Sequence, residues 1–194
     1  IFRGQLALMA KYKPIEKASG VVMPEADWPA GVEFPRYNID DPKLQSYLKD
    51  MFWRATEEMG EAFEDPDISI WHLTGWSPTL SDSVRHVYEE LIDSLHFLTE
   101  ACILGGLTPD KVSKTWENVA AVPQDEDPPA FQVERLSWEF VKYLGLAANT
   151  LKNKPWKQSH MRTDAERFKR NLTCAVAAFF ELLHEAGLRA ADIH

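Results

Sequence analysis

Residues 81–104 read SDSVRHVYEELIDSLHFLTEACIL. Val84, Val87, Leu91, Leu95, Leu98 and Cys102 recur every three or four residues, the spacing of one buried stripe on an α-helix. The helix should run from Ser81 to Leu104, and Gly105-Gly106 after the last apolar residue terminates it. Upstream, Asp41-Pro42 opens a second helix of the same kind. Its stripe is Leu44, Leu48, Phe52, Ala55, Met59 and Ala62, and it should run to about Phe63, before Pro66.

The same pattern extends over most of the chain. Residues 1–17 read as a short helix whose end is disturbed by Pro14. Residues 18–41 carry Gly20, Pro24, Pro29, Gly31 and Pro35, an irregular excursion that Trp28, Phe34 and Tyr37 should pack onto the body. Residues 65–79 form a loop with Trp71, His72 and Trp76. A short helix is expected from Thr108-Pro109 to Val119, another from Phe131 to about Leu151, and a long one from Thr163 to Ala186, ended by Gly187. Lys152–Arg162 between the last two is a basic loop. No alternating strand pattern persists, so the fold class is all-α. Residues 122–130, acidic and proline-rich, read as a linker between a first helical half (1–121) and a second (131–194) that completes the bundle. Trp28, Trp53, Trp138 and Trp156 are expected to be core anchors.

The halves share an order of elements: long helix, proline-containing loop, long helix ended by Gly-Leu. Aligned there, Glu100, Gly106 and Leu107 match Glu181, Gly187 and Leu188, which reads as a degenerate internal duplication. Opposite Glu58, Glu61, Glu90 and Asp93 the second half has Leu146, Asn149, Asn171 and Cys174, so the carboxylates belong to the first half alone.

Composition narrows the function. The 194 residues are 45% hydrophobic and 26% charged, with a net charge of −9. That charge disfavours a nucleic-acid backbone as partner, while a polyphosphate remains accessible if divalent cations bridge it. No stretch is apolar and long enough for a membrane span. Ile1-Phe2-Arg3-Gly4 does not read as a signal peptide, and Cys102 and Cys174 read as small hydrophobes in a reducing compartment, so a cytoplasmic location is expected.

Glu58-Met-Gly-Glu61 and Glu90-Leu-Ile-Asp93 each place two carboxylates at i and i+3, on one side of a helix. A single such pair is ordinarily a solvated face. Two pairs on consecutive helices, each beside a buried stripe, bring four like charges together, and these need protons or cations. Hard carboxylate oxygens suit Mg²⁺, with Mn²⁺ as a substitute, and such ions serve attack by water on a phosphorus. Di-iron bundles favour Glu-x-x-His, whereas His96 here follows an Asp.

At these residues the chain resembles the all-α NTP pyrophosphohydrolases, the MazG-like enzymes and dimeric dUTPases. Their signature is E-x-x-E, a spacer, then E-x-x-D. The continuation Asp93-Ser-Leu-His96-Phe97 is similar to the D-x-x-H-F of the dimeric dUTPase branch and its bacteriophage dCTPase/dUTPase relatives. The resemblance implies Mg²⁺-dependent hydrolysis of a pyrimidine deoxynucleoside triphosphate, dUTP before dCTP, to the monophosphate and pyrophosphate. It implies metal on Glu58, Glu61, Glu90 and Asp93, with Glu58 or Glu61 handling the attacking water. It further implies substrate contacts from Gln5, Trp76 and His96, and a homodimer; the family's loop lysines are missing here, and Lys11, Lys13, Lys154 and Lys157 are the candidate phosphate contacts. A MazG-like enzyme of purine or broad specificity, and a noncatalytic nucleotide-binding helical protein, are the alternative readings.

Overall fold

Short polar side chains set where the helices begin. The computed structural model describes residues 1–64, 79–121, 129–152 and 163–188. Six helices are found there: α1 (Phe2–Ala18), α2 (Pro42–Glu61), α3 (Asp82–Leu104), α4 (Pro109–Ala120), α5 (Pro129–Thr150) and α6 (Ala165–Glu185). Asp41 accepts from the Lys43 amide, Ser81 from Val84, Thr108 from Lys111 and Asp164 from Arg167. Each cap satisfies an amide that the first turn leaves without a partner. The described residues hold no β-strand, only an isolated antiparallel bridge between Asp27 and Arg36. The chain is all-α, and none of these helices is long and apolar enough to cross a membrane.

The Gly-Leu stops of α3 and α6 have the same construction. Leu107 N–H donates to Cys102 C=O and Leu188 N–H to Leu183 C=O, both at 2.9 Å. Gly106 and Gly187 take positive φ, 73° and 75°, and Leu107 and Leu188 are both buried. This is the Schellman motif, which favours glycine because a Cβ is strained at that φ.

The stripe expected for α2 is buried throughout, from Leu44 to Ala62, and packs on α3, where Val87, Leu91, Leu95, Leu98 and Cys102 are buried. Val84 is half-buried. Each fully buried Leu or Phe contributes about 1.5–3 kcal/mol. In the second half α5 packs on α6, with Phe140 and Phe179 in ring contact at 4.9 Å, and α4 lies against α6. One core cluster includes residues of both halves, and Phe52 of α2 stacks on Phe168 of α6 at 6.4 Å.

Several expectations need correction. Helix α1 passes through Pro14 and ends at Ala18. The turn beyond the proline is held from outside, since Glu16 bonds to both Tyr47 and Arg54 of α2, and tertiary contacts outweigh the lost backbone bond. The linker ends earlier than read, because Pro129 and Ala130 already belong to α5; residues 122–128 lie outside the described residues, as do the 65–78 loop and Trp156. Trp53 and Trp138 are 65% and 66% exposed, and Trp28 is also exposed, so these tryptophans are not core anchors. Trp53 follows the buried Phe52 by one residue, which turns it about 100° away from the stripe.

At Gly105 the two halves pack closely. A Cβ there would stand 2.8 Å from Phe168 Cε1 and 3.0 Å from Leu172 Cδ2. Both side chains are buried and cannot move aside freely. Gly105→Ala is therefore expected to destabilise the protein by about 1–2 kcal/mol through overpacking, read as a lower urea midpoint at unchanged m-value.

Candidate metal centre and adjoining cavity

The crossing of α2 and α3 brings the carboxylates together. Ser94 Oγ donates to the Ala55 carbonyl at 2.7 Å, a buried bond between the two helices. Glu58 lies almost one turn beyond Ala55, and Asp93 and Glu90 lie just before Ser94 on α3. With that register fixed, ligand atoms of Glu58, Glu90 and Asp93 fall within 4.8 Å of one another.

The cluster bears the electrostatic mark of crowded like charges. The Glu58 carboxyl is pushed up to about 7. Burial is the largest cause, followed by a hydrogen bond with Glu90 and then the charges of Glu90, Glu61 and Asp93. Asp93 is exposed, yet its carboxyl is raised too, through desolvation and then the charges of Glu90 and Glu89, against the lowering pull of His96. Glu90 receives help from its own helix, where His86 Nδ1 lies 3.0 Å from Glu90 Oε1. Three convergent carboxylates offer acceptors and no donors, so a proton or a cation must join them. Their chemistry fits a hard divalent ion.

Glu61 is not part of this close group. It is exposed at the last position of α2 and acts on Glu58 through its charge. Arg54 stands four residues before Glu58, the spacing of a helical ion pair. Its guanidinium instead binds Glu16 and Asp50, each at 2.8 Å, and stands over the Phe97 ring. Arg54 therefore forms no ion pair with the carboxylate group.

A cavity of about 390 Å³ opens beside the cluster. Glu58 and Asp93 line it together with Gln5, His96 and Phe97, and Leu8, Met9 and Tyr12 of α1 add an apolar wall. Gln5 is only 3% exposed, and both ends of its amide are engaged: Nε2 donates to Glu100 at 3.2 Å, and Oε1 lies 2.9 Å from His96 Nδ1. Lys13 does not line this cavity. It lies about 100° round the helix from Tyr12 and faces a separate hollow of about 180 Å³ with Leu6, Met23 and Trp28. Trp76 lies outside the described residues.

Sequence reading missed Glu16, Tyr47, Arg54 and Glu100. Tyr47 Oη lies 2.8 Å from Glu16 and 2.9 Å from the buried Glu100, and Arg54 completes the group. The one signal available was Glu100 itself, a carboxylate amid the apolar run Leu98–Leu104, where burial demands partners.

In the second half, Asn171, opposite Glu90, is buried, and its Nδ2 finds no hydrogen-bond partner among the described residues. Cys174, opposite Asp93, is a free thiol, as is the buried Cys102, whose thiol burial pushes up. Compared with known proteins, the chain matches no family model, no curated sequence and no solved structure.

Proposed function

We propose that the protein is a Mg²⁺-dependent pyrophosphohydrolase of pyrimidine deoxynucleoside triphosphates, dUTP first and dCTP second, in a homodimeric, MazG-like all-α bundle of the cytoplasm. One observation carries the reading: a single cavity joins the carboxylates Glu58 and Asp93 to a polar and aromatic region with Gln5, His96 and Phe97. A nucleotide is a molecule with those two ends, an anionic phosphate chain and a flat base with hydrogen-bonding edges.

Glu58, Glu90 and Asp93 would hold the ion, which supplies charge neutralisation to the phosphates and water of lowered pKa. Without it the net charge of −9 would repel a triphosphate. Glu58 or Glu61 would take the proton from the attacking water; the raised Glu58 carboxyl belongs to the metal-free cluster. Phe97 and Tyr12 give the cavity aromatic side chains beside which a base could lie, and His96 offers a polar edge. The exposed Trp53 and Trp138 are surfaces that a second copy would cover on dimerisation.

Purified protein with Mg²⁺ or Mn²⁺ is expected to release pyrophosphate from dUTP and dCTP, and EDTA should stop the release. Failure to turn over any nucleotide in a full deoxy- and ribonucleotide panel would falsify the enzymatic reading. Equal turnover of purine nucleotides would replace pyrimidine selectivity with broad specificity.

A further inference from the structure

The cavity also carries a chain of polar groups that the metal chemistry does not use. Tyr47 Oη contacts Glu16 Oε2 at 2.8 Å and Glu100 Oε1 at 2.9 Å. A phenol has one proton, so it serves one of these oxygens. The other contact sets lone pair against lone pair unless that carboxyl brings a proton of its own. Arg54 compensates the charge of Glu16 from 2.8 Å. Glu100 is 7% exposed, and its hydrogen-bond partners are Tyr47 and Gln5, neither of them a cation. The proton therefore belongs on Glu100, which donates to Tyr47, which donates to Glu16. Burial works in the same direction and raises the Glu100 carboxyl, with the Glu16 charge adding to it; the bonds from Tyr47 and Gln5 and the Arg54 charge oppose. Tyr37, from the segment before α2, is the other titratable group nearby; burial and then the Glu100 charge raise its phenol.

The second oxygen of Glu100 can only accept. It orients Gln5 with Nε2 toward itself, which turns Gln5 Oε1 to His96 Nδ1. An amide oxygen also only accepts, so Nδ1 must carry the hydrogen. In the neutral imidazole, Nε2 then has the lone pair.

We infer that Glu100, holding its proton, is a positioning residue: through Gln5 it fixes the His96 tautomer, so that Nε2 accepts a hydrogen bond from an N–H on the edge of the bound base. The ligand rests on the nucleotide reading above, whereas the tautomer does not. Uracil presents N3–H and cytosine its amino group, and the shared chemistry is a ring-edge N–H donor.

The test is long-range ¹H–¹⁵N correlation on the ¹⁵N-histidine-labelled protein. His96 is expected to carry its proton on Nδ1 in the wild type. Glu100→Gln keeps that signature, because its amide NH₂ replaces the acid proton toward Tyr47 and its oxygen accepts from Gln5. Glu100→Leu loses it, and raises KM for dUTP about tenfold while kcat changes less than about threefold, the pattern of lost binding. A proton on Nε2 in the wild type overturns the inference, and so does loss of the signature in a folded Glu100→Gln protein. An intact signature with no turnover of any nucleotide supports the positioning role and overturns the nucleotide reading alone. A reversed tautomer with turnover intact overturns the positioning role alone.

Discussion

Asp93→Asn lowers Mg²⁺-dependent turnover by about a thousandfold or more, with helix content and urea midpoint close to wild type. The substitution is nearly isosteric and removes one charge from a group whose ligand atoms lie within 4.8 Å of one another. Asp93 is exposed, so no packing is lost with it, and the raised carboxyls of Glu58 and Asp93 mark a cluster under mutual repulsion. Taking away a charge relieves that repulsion in the metal-free protein, so any change in stability should be small and favourable. Activity and stability then move in different directions, which a merely misfolded variant would not show. Glu61→Ala serves as the comparison. Glu61 lies outside the close group and reaches Glu58 through its charge alone, so a loss of about ten- to a hundredfold is expected. Initial rates of pyrophosphate release over a Mg²⁺ titration check both. Asp93→Asn turnover within tenfold of wild type would remove the cluster from the chemistry, and equal losses in the two variants would place Glu61 among the ligands.

The contrast between Asp93 and Glu61 also shows what the sequence could reveal. Helical period and cap residues are local properties, and the Asp41 cap and the Gly-Leu stops appear in the structure where the pattern put them. The i, i+3 carboxylates are local too, which is why they were conspicuous. Which of the four converge is not local. It depends on how α2 crosses α3, set by the Ser94–Ala55 bond and the small Ala55 between the helices. Lys13 illustrates the same limit at the scale of one residue, since a single step along α1 separates the cavity wall at Tyr12 from a different hollow. As a connected chain, the polar groups from Arg54 to His96 had no signature beyond Glu100, a carboxylate in an apolar run. Its members come from α1, α2 and α3, and Gln5 and Glu100 are 95 residues apart. Pro14 misled for the reverse reason: a local rule was outweighed by the bonds from Glu16 to Tyr47 and Arg54.

Metal-free protein is expected to lose stability as pH rises from about 4.5 to above 7, and Mg²⁺ is expected to restore it only at the upper end. Glu58 has an ordinary value of 4.5 and is pushed up to about 7 in the folded protein. A carboxyl raised on folding favours the native state while it is protonated. Its contribution is therefore complete below about 4.5 and is lost as pH passes through about 7. The raised Asp93 and Glu100 carboxyls act with the same sign. Above that range Glu58 has lost its proton and the cluster is available to a cation. An ion that binds the native state alone, at about a hundredfold excess over its Kd, adds about 2.7 kcal/mol. For a chain of this length that raises Tm by about 5–10 °C. Below about pH 5, where Glu58 keeps its proton, the same Mg²⁺ concentration should leave Tm nearly unchanged. Glu58→Gln tests the assignment, since it should flatten the decline with pH and reduce the Mg²⁺ shift at about pH 8 to less than about 2 °C. Thermal melts in Mg²⁺ and in EDTA at the two pH values read all of this without any assay of turnover. If wild-type Tm at about pH 8 is the same in Mg²⁺ and EDTA, or if Glu58→Gln responds to Mg²⁺ as fully as the wild type, the three carboxylates are not a metal centre.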